Sequence, residues 1–264
     1  MIVREVNCKS ILNKSKLSTD YCINPYTGCQ HKCFYCYARF MKKYTNHKEN
    51  WGDFVDVKIN AVDALKNDLK KAKPGSVFIG SVTDAYQPIE KKYEITRKIL
   101  EALPNNFSPY ILTKSALVLR DLDLIKRFRN PEVGLTITFS DDSDRKNFEP
   151  FASPINDRIE ALKKIKETGI KTSVFFGPVI PFISDKNLEE FFEKINFADE
   201  IWVDKLNIKS GNWRLLEKVM KQKYLRLFEK IRYVIFDDDK YYSELKERIK
   251  GICKEKNIKI RFCY

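Results

Sequence analysis

Residues 24–39 read Asn-Pro-Tyr-Thr-Gly-Cys-Gln-His-Lys-Cys-Phe-Tyr-Cys-Tyr-Ala-Arg, and this short stretch contains three cysteines, Cys29, Cys33 and Cys36. Thiolates are soft ligands that suit iron–sulfur clusters, and a cubane cluster has four ligand positions. Because the stretch supplies three thiols, one iron would remain open to a small molecule, as a catalytic metal site keeps one position free. The spacing Cys-x3-Cys-x2-Cys therefore predicts a [4Fe–4S] cluster with one exchangeable position.

A zinc site is the alternative for the same cysteines. Structural zinc is usually held by four ligands, often from paired Cys-x2-Cys units. The fourth ligand would have to come from elsewhere, and the candidates are Cys8, Cys22, Cys253, Cys263 and His31. A disulfide framework is less favoured, because the chain is long, the cysteine count of seven is odd and no export signal is recognisable.

The cysteine spacing, with an aromatic residue close to the last cysteine, resembles the signature of the radical S-adenosylmethionine (SAM) superfamily. The resemblance implies that the amino and carboxylate groups of SAM occupy the open iron. It further implies that an electron from the cluster cleaves SAM to a 5′-deoxyadenosyl radical. An electron donor such as ferredoxin or flavodoxin is implied as a partner.

The chain reads as a series of β-then-α units. Strand-like runs occur near 22–25 and at 77–80, 110–112, 133–139, 172–177 and 200–208, and helical patterns lie at 34–44, 61–71, 91–103, 116–128, 154–168 and 185–195. Several strands are apolar throughout, as expected for a parallel sheet covered on both faces. Repeated units of this kind predict right-handed crossovers and a sheet that curls toward a barrel.

Six such units match the partial TIM-type (β/α)6 barrel of the radical SAM family, an α/β fold. We predict an N-terminal segment at 1–20, the barrel at 21–210 and a C-terminal α/β extension at 211–264, all within one structural domain. The extension is expected to contain a helix at 213–231, strands at 232–236 and 259–263, and a helix at 241–256.

Charge is distributed unevenly along the chain. The net charge is +13, and residues 205–264 contain 17 Lys and Arg against 8 Asp and Glu. This asymmetry favours an anionic partner such as nucleic acid, although a solvated basic helix face is equally compatible. No apolar stretch has the length of a signal peptide or a membrane span, which predicts a cytoplasmic protein that does not contact a membrane.

Three further motifs sharpen the resemblance. Ser81-Val-Thr-Asp84, Thr113-Lys-Ser115 and Pro178-Val-Ile-Pro181, together with the cysteine stretch, are similar to spore photoproduct lyase and its relatives over most of residues 20–205. The resemblance implies SAM-binding positions at Tyr35, Ser81, Thr83, Asp84, Lys114, Thr136, Thr138, Arg158 and Val179.

Several of these positions have an implied role. The Thr83 hydroxyl would contact SAM, Lys114 would reach its carboxylate, and Thr136 would lie near the ribose or the methionyl part. Val179 matches a backbone position beside the adenine. Each also has an ordinary structural explanation, since Asp84 could cap a helix and Arg158 could form an ion pair with Glu149 or Asp157.

The two tyrosines that flank Cys36 differ in their implied roles. Tyr35 matches a residue that stacks beside the adenine, and Tyr37 matches a lyase tyrosine linked to hydrogen transfer, which makes it a candidate catalytic residue. Both rings could instead be packing residues. The lyase has a cysteine hydrogen donor where this chain has Ser81, and an alcohol O–H bond is far too strong to replace a thiol.

Three functions remain open at this point. A radical SAM enzyme acting on nucleic acid is favoured by the basic C-terminal region and by Lys205, Asn207, Lys209, Asn212 and Trp213, which follow the sixth strand. A radical SAM enzyme acting on a small molecule or peptide is favoured by Ser81 and the short C-terminus. A metal-dependent nucleic-acid-binding protein without enzymatic activity is the third hypothesis.

Overall fold

Two sheets organise the fold in the computed structural model, which describes residues 1–209, 211–238 and 240–264. Within those ranges the strands are β1 (Ile2–Val6), β2 (Asn13–Lys14), β3 (Tyr21–Ile23), β4 (Tyr26–Thr27), β5 (Phe54–Lys58), β6 (Ser76–Ile79), β7 (Ser108–Thr113), β8 (Glu132–Thr136), β9 (Lys171–Val179), β10 (Glu200–Lys205) and β11 (Ile260–Phe262).

The larger sheet has the order β11-β10-β9-β8-β7-β6-β3-β2. All neighbours from β3 to β11 pair in parallel, and only the short β2 runs antiparallel to β3. The six strands predicted for the barrel are therefore confirmed, in an order that follows the chain. The sheet is open rather than closed, because its end strands β11 and β2 do not pair with each other.

Helices fill the connections between the strands. In the described ranges the α-helices are α1 (Ala61–Leu69), α2 (Glu90–Tyr93), α3 (Ile95–Ala102), α4 (Leu122–Ile125), α5 (Asp142–Phe148), α6 (Ile155–Glu167), α7 (Leu188–Ile195), α8 (Trp213–Lys223), α9 (Leu225–Phe236) and α10 (Tyr241–Glu255). Two 3₁₀ helices join them, η1 (Tyr37–Tyr44) and η2 (Ala116–Asp121). None of the described helices is long and apolar enough to cross a membrane.

Several predicted helices are divided or shifted. The pattern at 91–103 forms α2 and α3, which separate at Glu94 because its backbone is left-handed, with φ 53°. The pattern at 213–231 is divided at Tyr224, whose ψ of 37° is not helical. The helix predicted at 34–44 begins only at Tyr37 and is of the 3₁₀ type.

The strand predicted at 232–236 is wrong, because these residues form the last turns of α9. Phe228, Ile231 and Val234 are buried at a spacing of three residues, which is a helical period. A short apolar run such as Tyr233–Phe236 does not distinguish a strand from a buried helix by itself. The strand predicted at 259–263 is confirmed as β11.

The two faces of the large sheet differ in burial. One face packs against the helices and is formed by every second residue of the strands. Its residues are fully buried and include Val77, Ile79, Ile111, Val174 and Ile201. The residues between them form a half-buried aromatic layer on the other face. The rings of Phe78 and Tyr110 are tilted with their centroids 5.0 Å apart, and Tyr110 stacks near Trp202 at 6.4 Å. This layer leaves the concave face of the sheet accessible above the aromatic rings.

The smaller sheet has the order β1-β5-β4 and was not predicted from the sequence. β1 pairs in parallel with β5, and β5 pairs antiparallel with β4. β4 lies just before Cys29, the first cysteine of the motif. His47 fixes the segment before β5, since its ring nitrogens lie 2.9 Å from Glu49 Oε2 and 2.8 Å from Asp56 Oδ1.

The predicted boundaries at residues 20 and 210 stay predictions. β1 pairs with β5 and β11 pairs with β10, so both terminal segments share a sheet with the middle of the chain. α10 also contacts α7, which joins the C-terminal segment to the helical layer.

A buried charge network joins the helices that follow β6 and β7. The Glu90 carboxylate is fully buried and accepts hydrogen bonds from Arg120 Nη2 at 2.6 Å, from the Thr96 backbone at 3.0 Å and from the Tyr26 hydroxyl. Glu94 lies 3.6 Å from the same guanidinium, but its side chain is 46% exposed. The two carboxylates therefore differ mainly in burial.

We expect Glu90→Gln to lower the free energy of unfolding by about 3 kcal/mol, because the buried Tyr26 and Thr96 donors lose a charged acceptor and Arg120 keeps one buried carboxylate partner, Asp121. Glu94→Gln is the matched control and should change the free energy by less than about 1 kcal/mol, since its pair is exposed. Urea denaturation of both variants measures the difference. Equal effects would contradict the assignment of the buried network as the stabilising one.

Candidate functional site

A cavity of about 530 Å³ lies at the carboxyl ends of the parallel strands, where the loops of such sheets usually bind ligands. It gathers residues from widely separated parts of the chain. The predicted site residues on its wall are Cys29, Cys33, Tyr35, Cys36, Tyr37, Ser81, Thr83, Asp84, Lys114 and Thr136. The sequence motifs therefore converge on one place.

Three predicted positions are not brought to the cavity wall in the described structure. Thr138 is fully buried and donates to the Gly177 carbonyl at 2.7 Å. Arg158 is fully buried in an ion pair with Glu149, and the Val179 carbonyl accepts a hydrogen bond from the Tyr242 hydroxyl at 3.0 Å. Of the two partners that the sequence left open for Arg158, the structure selects Glu149.

The loop around Cys29 is fixed by the side chain of Gln87. Gln87 is fully buried, and its Oε1 accepts from the Gln30 N–H at 2.8 Å while its Nε2 donates to the Gly28 carbonyl at 3.3 Å. Its Nε2 also donates to the Thr83 hydroxyl at 3.1 Å. The peptide groups before and after Cys29 are therefore held by one amide from the loop after β6.

Thr83 supports the same contact. Its hydroxyl donates to the Gly28 carbonyl at 2.6 Å, so this hydroxyl already has a partner within the chain. Gly28 itself has φ 95°, and a Cβ atom there would lie 2.3 Å from the Phe54 carbonyl oxygen. Only glycine permits this backbone approach between the cysteine loop and β5.

The three thiols lie in a buried and electrostatically mixed environment. Burial raises the pKa of the Cys33 thiol to about 12, and burial and neighbouring negative groups raise the pKa of Cys29 above its ordinary value. Arg39 Nη2 donates to the Cys33 carbonyl at 3.1 Å, and the buried Arg39 Nε has no partner among the described residues. Soft thiol donors beside an unsatisfied cation fit a group with net negative charge, such as a thiolate-ligated cluster.

Geometry also bears on the zinc alternative. Among residues 1–209, 211–238 and 240–264, no three His, Cys, Asp or Glu side chains converge as ligands of a single metal ion. A cubane cluster does not require such convergence, because each cysteine binds a different iron. None of the thiols considered as a fourth ligand lies on the described cavity wall, although His31 does.

Asp84 connects the cysteine loop to the loop after β7. Its Oδ1 accepts from the Thr113 hydroxyl at 2.6 Å, its Oδ2 accepts from the Lys114 N–H at 2.9 Å, and the His31 ring nitrogen Nδ1 lies 3.2 Å away. Burial alone would raise the pKa of Asp84, but His31 and these donors hold it well below its usual value. The carboxylate thus fixes the start of the loop that carries Lys114.

A second carboxylate, Glu149, anchors Tyr35. Glu149 follows α5 and accepts from Arg158 Nη2 at 2.5 Å and from the Tyr35 hydroxyl. Burial opposes its ionisation, yet Arg158 and Lys114 hold the pKa of Glu149 below its ordinary value. Lys114 Nζ lies 5.7 Å from the Tyr35 ring centroid and has no hydrogen-bond partner in the described residues, so it is free to bind an anion.

Ser81 and Tyr37 are connected directly. The Tyr37 hydroxyl donates to the Ser81 carbonyl, and the Ser81 hydroxyl accepts from Asn24 Nδ2 at 3.0 Å. Asn24 Oδ1 also accepts from the Val82 N–H at 2.9 Å. The side chain of Asn24 therefore fixes the turn that presents Ser81 to the cavity.

The mouth of the cavity lies after β10. It is lined by Asp204, Lys205, Asn207 and Lys209. Burial raises the pKa of Asp204 above its usual value, although the charges of Lys205 and Lys209 act in the opposite direction. Asn212 instead closes the end of the sheet, because its Nδ2 donates to the Tyr35 carbonyl at 3.1 Å and to the Asn207 carbonyl at 3.0 Å.

Trp213 packs against Phe228 and Phe236 and does not line the cavity within the described structure. Sequence reasoning did not identify Gln87, Phe175, Arg39 or Asp204 as parts of the site. Phe175 and Asp204 could have been found, because they lie on the concave-face positions of predicted strands, two residues beyond Ser173 and Trp202. No local pattern marks Gln87, whose partners are 57 and 59 residues away.

Comparisons with known proteins agree with this geometry. The radical SAM superfamily model matches residues 23–195. An uncharacterised protein of Methanocaldococcus jannaschii is 39% identical over 94% of this chain and 96% of its own length. Spore photoproduct lyase of Clostridium acetobutylicum is 25% identical over 86% of this chain and 66% of that protein.

Among solved structures, a spore photoproduct lyase variant with bound AdoMet and dinucleoside spore photoproduct superimposes with a TM-score of 0.73. The match covers 99% of this chain and 81% of the lyase at 17% identity, which establishes a shared fold. Because the family model covers well over half of the residues, the chain belongs to the radical SAM superfamily, whose enzymes use a [4Fe–4S] cluster and SAM.

Proposed function

We propose that this radical SAM enzyme holds its [4Fe–4S] cluster on Cys29, Cys33 and Cys36 and acts on a nucleic acid. The cluster and SAM together would supply the chemistry, in which one electron splits the SAM sulfonium into methionine and a 5′-deoxyadenosyl radical that takes a hydrogen atom from the substrate. The observation that carries the proposal is one cavity that contains the three thiols at its inner wall and lysines at its mouth.

The residues around the cavity have separate tasks in this proposal. Lys114 offers an ammonium without a partner in the described residues, which suits the carboxylate of SAM. Tyr35 is held rigid by Glu149, and Thr136 places a hydroxyl on the wall between these groups and β9. The half-buried rings of Phe78 and Phe175 give the cavity an apolar floor.

A nucleic-acid substrate is supported by the charge at the mouth. Lys205 and Lys209 lie on the same wall as Asn207, so cationic groups for phosphate adjoin a hydrogen-bonding amide. The likeness to spore photoproduct lyase supports the same substrate class. The basic C-terminal segment adds a longer-range attraction for polyanions.

A small molecule or peptide is the second candidate substrate, and Ser81 favours it. Its hydroxyl is hydrogen-bonded to Asn24 and lacks the weak S–H bond of the cysteine donor that the lyase family has at this position. A reaction that ends by a different hydrogen transfer is compatible with a different substrate. The binding experiment described below distinguishes the two candidates.

The role of the three cysteines is tested by anaerobic reconstitution. We expect about four irons per chain and, after dithionite reduction with SAM, formation of 5′-deoxyadenosine. Cys29→Ala, Cys33→Ala and Cys36→Ala should each lose the intact cluster and the product, because each removes one iron ligand. Iron analysis and chromatography of the nucleoside measure both.

Cys263→Ala is the control, and it should retain iron and activity because Cys263 is exposed directly after β11. A wild-type protein that takes up one zinc and no iron would instead support the non-enzymatic, metal-dependent nucleic-acid-binding hypothesis.

Gln87 is expected to affect the cluster without touching it. Gln87→Met removes the bonds that hold the peptide groups on both sides of Cys29, and loss of such supporting contacts typically weakens metal binding by about 10- to 100-fold. The rate at which a chelator removes iron should rise correspondingly. Gln222→Met is the control, because Gln222 is exposed on α8. Equal rates of iron removal in the two variants would contradict a role of Gln87 in holding the loop around Cys29.

The substrate class is tested by binding to a single-stranded oligothymidylate of 12 nucleotides. If Lys205 and Lys209 contact phosphates, Lys205→Gln with Lys209→Gln should weaken binding and reduce the slope of log affinity against log salt by about 1.4. Lys223→Gln with Lys230→Gln on the C-terminal helices is the matched control. An unchanged slope in the Lys205 and Lys209 variant would favour the small-molecule or peptide substrate.

A further inference from the structure

The surface behind the cysteines is formed by η1, which begins at the residue after Cys36. Ala38 of this helix is buried and packs with Trp51 and Phe54 against Cys29 and Cys36. Ala38 and Trp51 also line the cavity. This helix therefore lies directly behind the predicted cluster site, and several of its remaining residues are exposed.

We define the η1 face as Phe40, Lys42, Lys43, Tyr44 and Lys48. Phe40 is 37% exposed and Tyr44 is 68% exposed, so two aromatic rings lie on the surface of a short helix. Lys43 and Lys48 are exposed, and Lys42 Nζ donates to the Lys48 carbonyl at 3.1 Å. Exposed aromatic residues ringed by charge are typical of a protein-binding surface.

The charge of this face is one-sided. Residues 37–48 contain Arg39, Lys42, Lys43 and Lys48 and no Asp or Glu. The acidic residues that follow in the sequence contact other groups, since Glu49 and Asp56 lie against the His47 ring and Asp53 lies 2.5 Å from Lys32 Nζ. The η1 face thus carries a local excess of positive charge and fits an acidic partner.

Reduction of the cluster requires a donor that approaches it closely, because electron transfer through protein slows steeply with distance. The cavity mouth after β10 is needed for substrate, whereas the η1 face is separated from the cysteines by Ala38, Trp51 and Phe54. We propose that the η1 face docks an acidic one-electron carrier protein, an inference that rests on the proposed cluster at Cys29, Cys33 and Cys36. The carrier loses one electron and the cluster gains it, and no proton or bond changes.

Flavodoxin in its reduced form is the probe, and Lys43→Glu with Lys48→Glu is the variant. At low ionic strength the rate at which flavodoxin reduces the cluster should fall by about 10- to 100-fold, because electrostatic steering is reversed. Reduction by dithionite, a small anion that needs no docking surface, should change far less. Stopped-flow absorbance of the cluster measures both rates, and titration with flavodoxin measures binding directly.

Lys223→Glu with Lys230→Glu is the matched control, since it makes the same change of net charge on exposed helix residues far along the chain. Equal losses in both variants, or no loss in the η1 variant, would overturn the proposal. It would equally be overturned if the η1 variant lost binding of the 12-nucleotide oligothymidylate while flavodoxin reduction stayed unchanged. Failure of the proposed cluster is recognised separately by absence of iron, and flavodoxin titration then still decides whether the face docks the carrier.

Discussion

The hydrogen bonds between Gln87 and the two peptide groups that flank Cys29 are the constraint on which the site depends. Residues 28–36 have no regular ladder of hydrogen bonds, so side chains must fix their backbone. Gln87 does so from a fully buried position, where an unsatisfied amide would cost about 1–3 kcal/mol for each missing partner. The direction of the first thiol is therefore determined by the loop after β6 as much as by the cysteine loop itself.

Two buried carboxylates extend this constraint to the neighbouring loops of the open sheet. Asp84 lies in the same loop as Gln87 and fixes the loop after β7 through Thr113 and Lys114. Glu149 and Arg158 then join Tyr35 to the carbonyl of Thr136, which Arg158 Nη1 contacts at 2.8 Å. Neighbouring loops along the sheet are thus connected by buried carboxylates, and a rigid wall remains even though the sheet does not close.

The sequence predicted the parts of the fold that depend on local pattern. The strands β6 to β10 were predictable because they appear as largely apolar runs, with one face fully buried and an aromatic layer on the other. β1 was not predictable, because its residues are mostly exposed and do not alternate between buried and exposed. Its partner strand β5 was not predicted either. In the site, the three cysteines and the motifs around Asp84 and Lys114 line one cavity, and their roles toward a cluster and SAM stay predictions.

Contacts between distant residues could not be predicted in the same way. Gln87 acts through partners in another loop, and no local spacing encodes that relationship. The Thr83 hydroxyl donates to the Gly28 carbonyl, a contact 55 residues away along the chain, and its contact with SAM stays a prediction. Arg158 supports the wall through Glu149 rather than facing the cavity. The residue types could be read from the sequence, but the neighbour that forms a hydrogen bond with each of them became known only from the structure.

The same contacts determine how cluster binding relates to folding. In small metal-binding domains the ligands are brought together only when the metal arrives, so binding energy is consumed by folding. Here the loop around Cys29 is held by Gln87, Thr83 and the approach of Gly28 to Phe54, and none of these contacts involves a metal. In the proposed cluster site the chain itself would therefore position the thiols, and the energy of metal coordination would hold the cluster rather than order the loop.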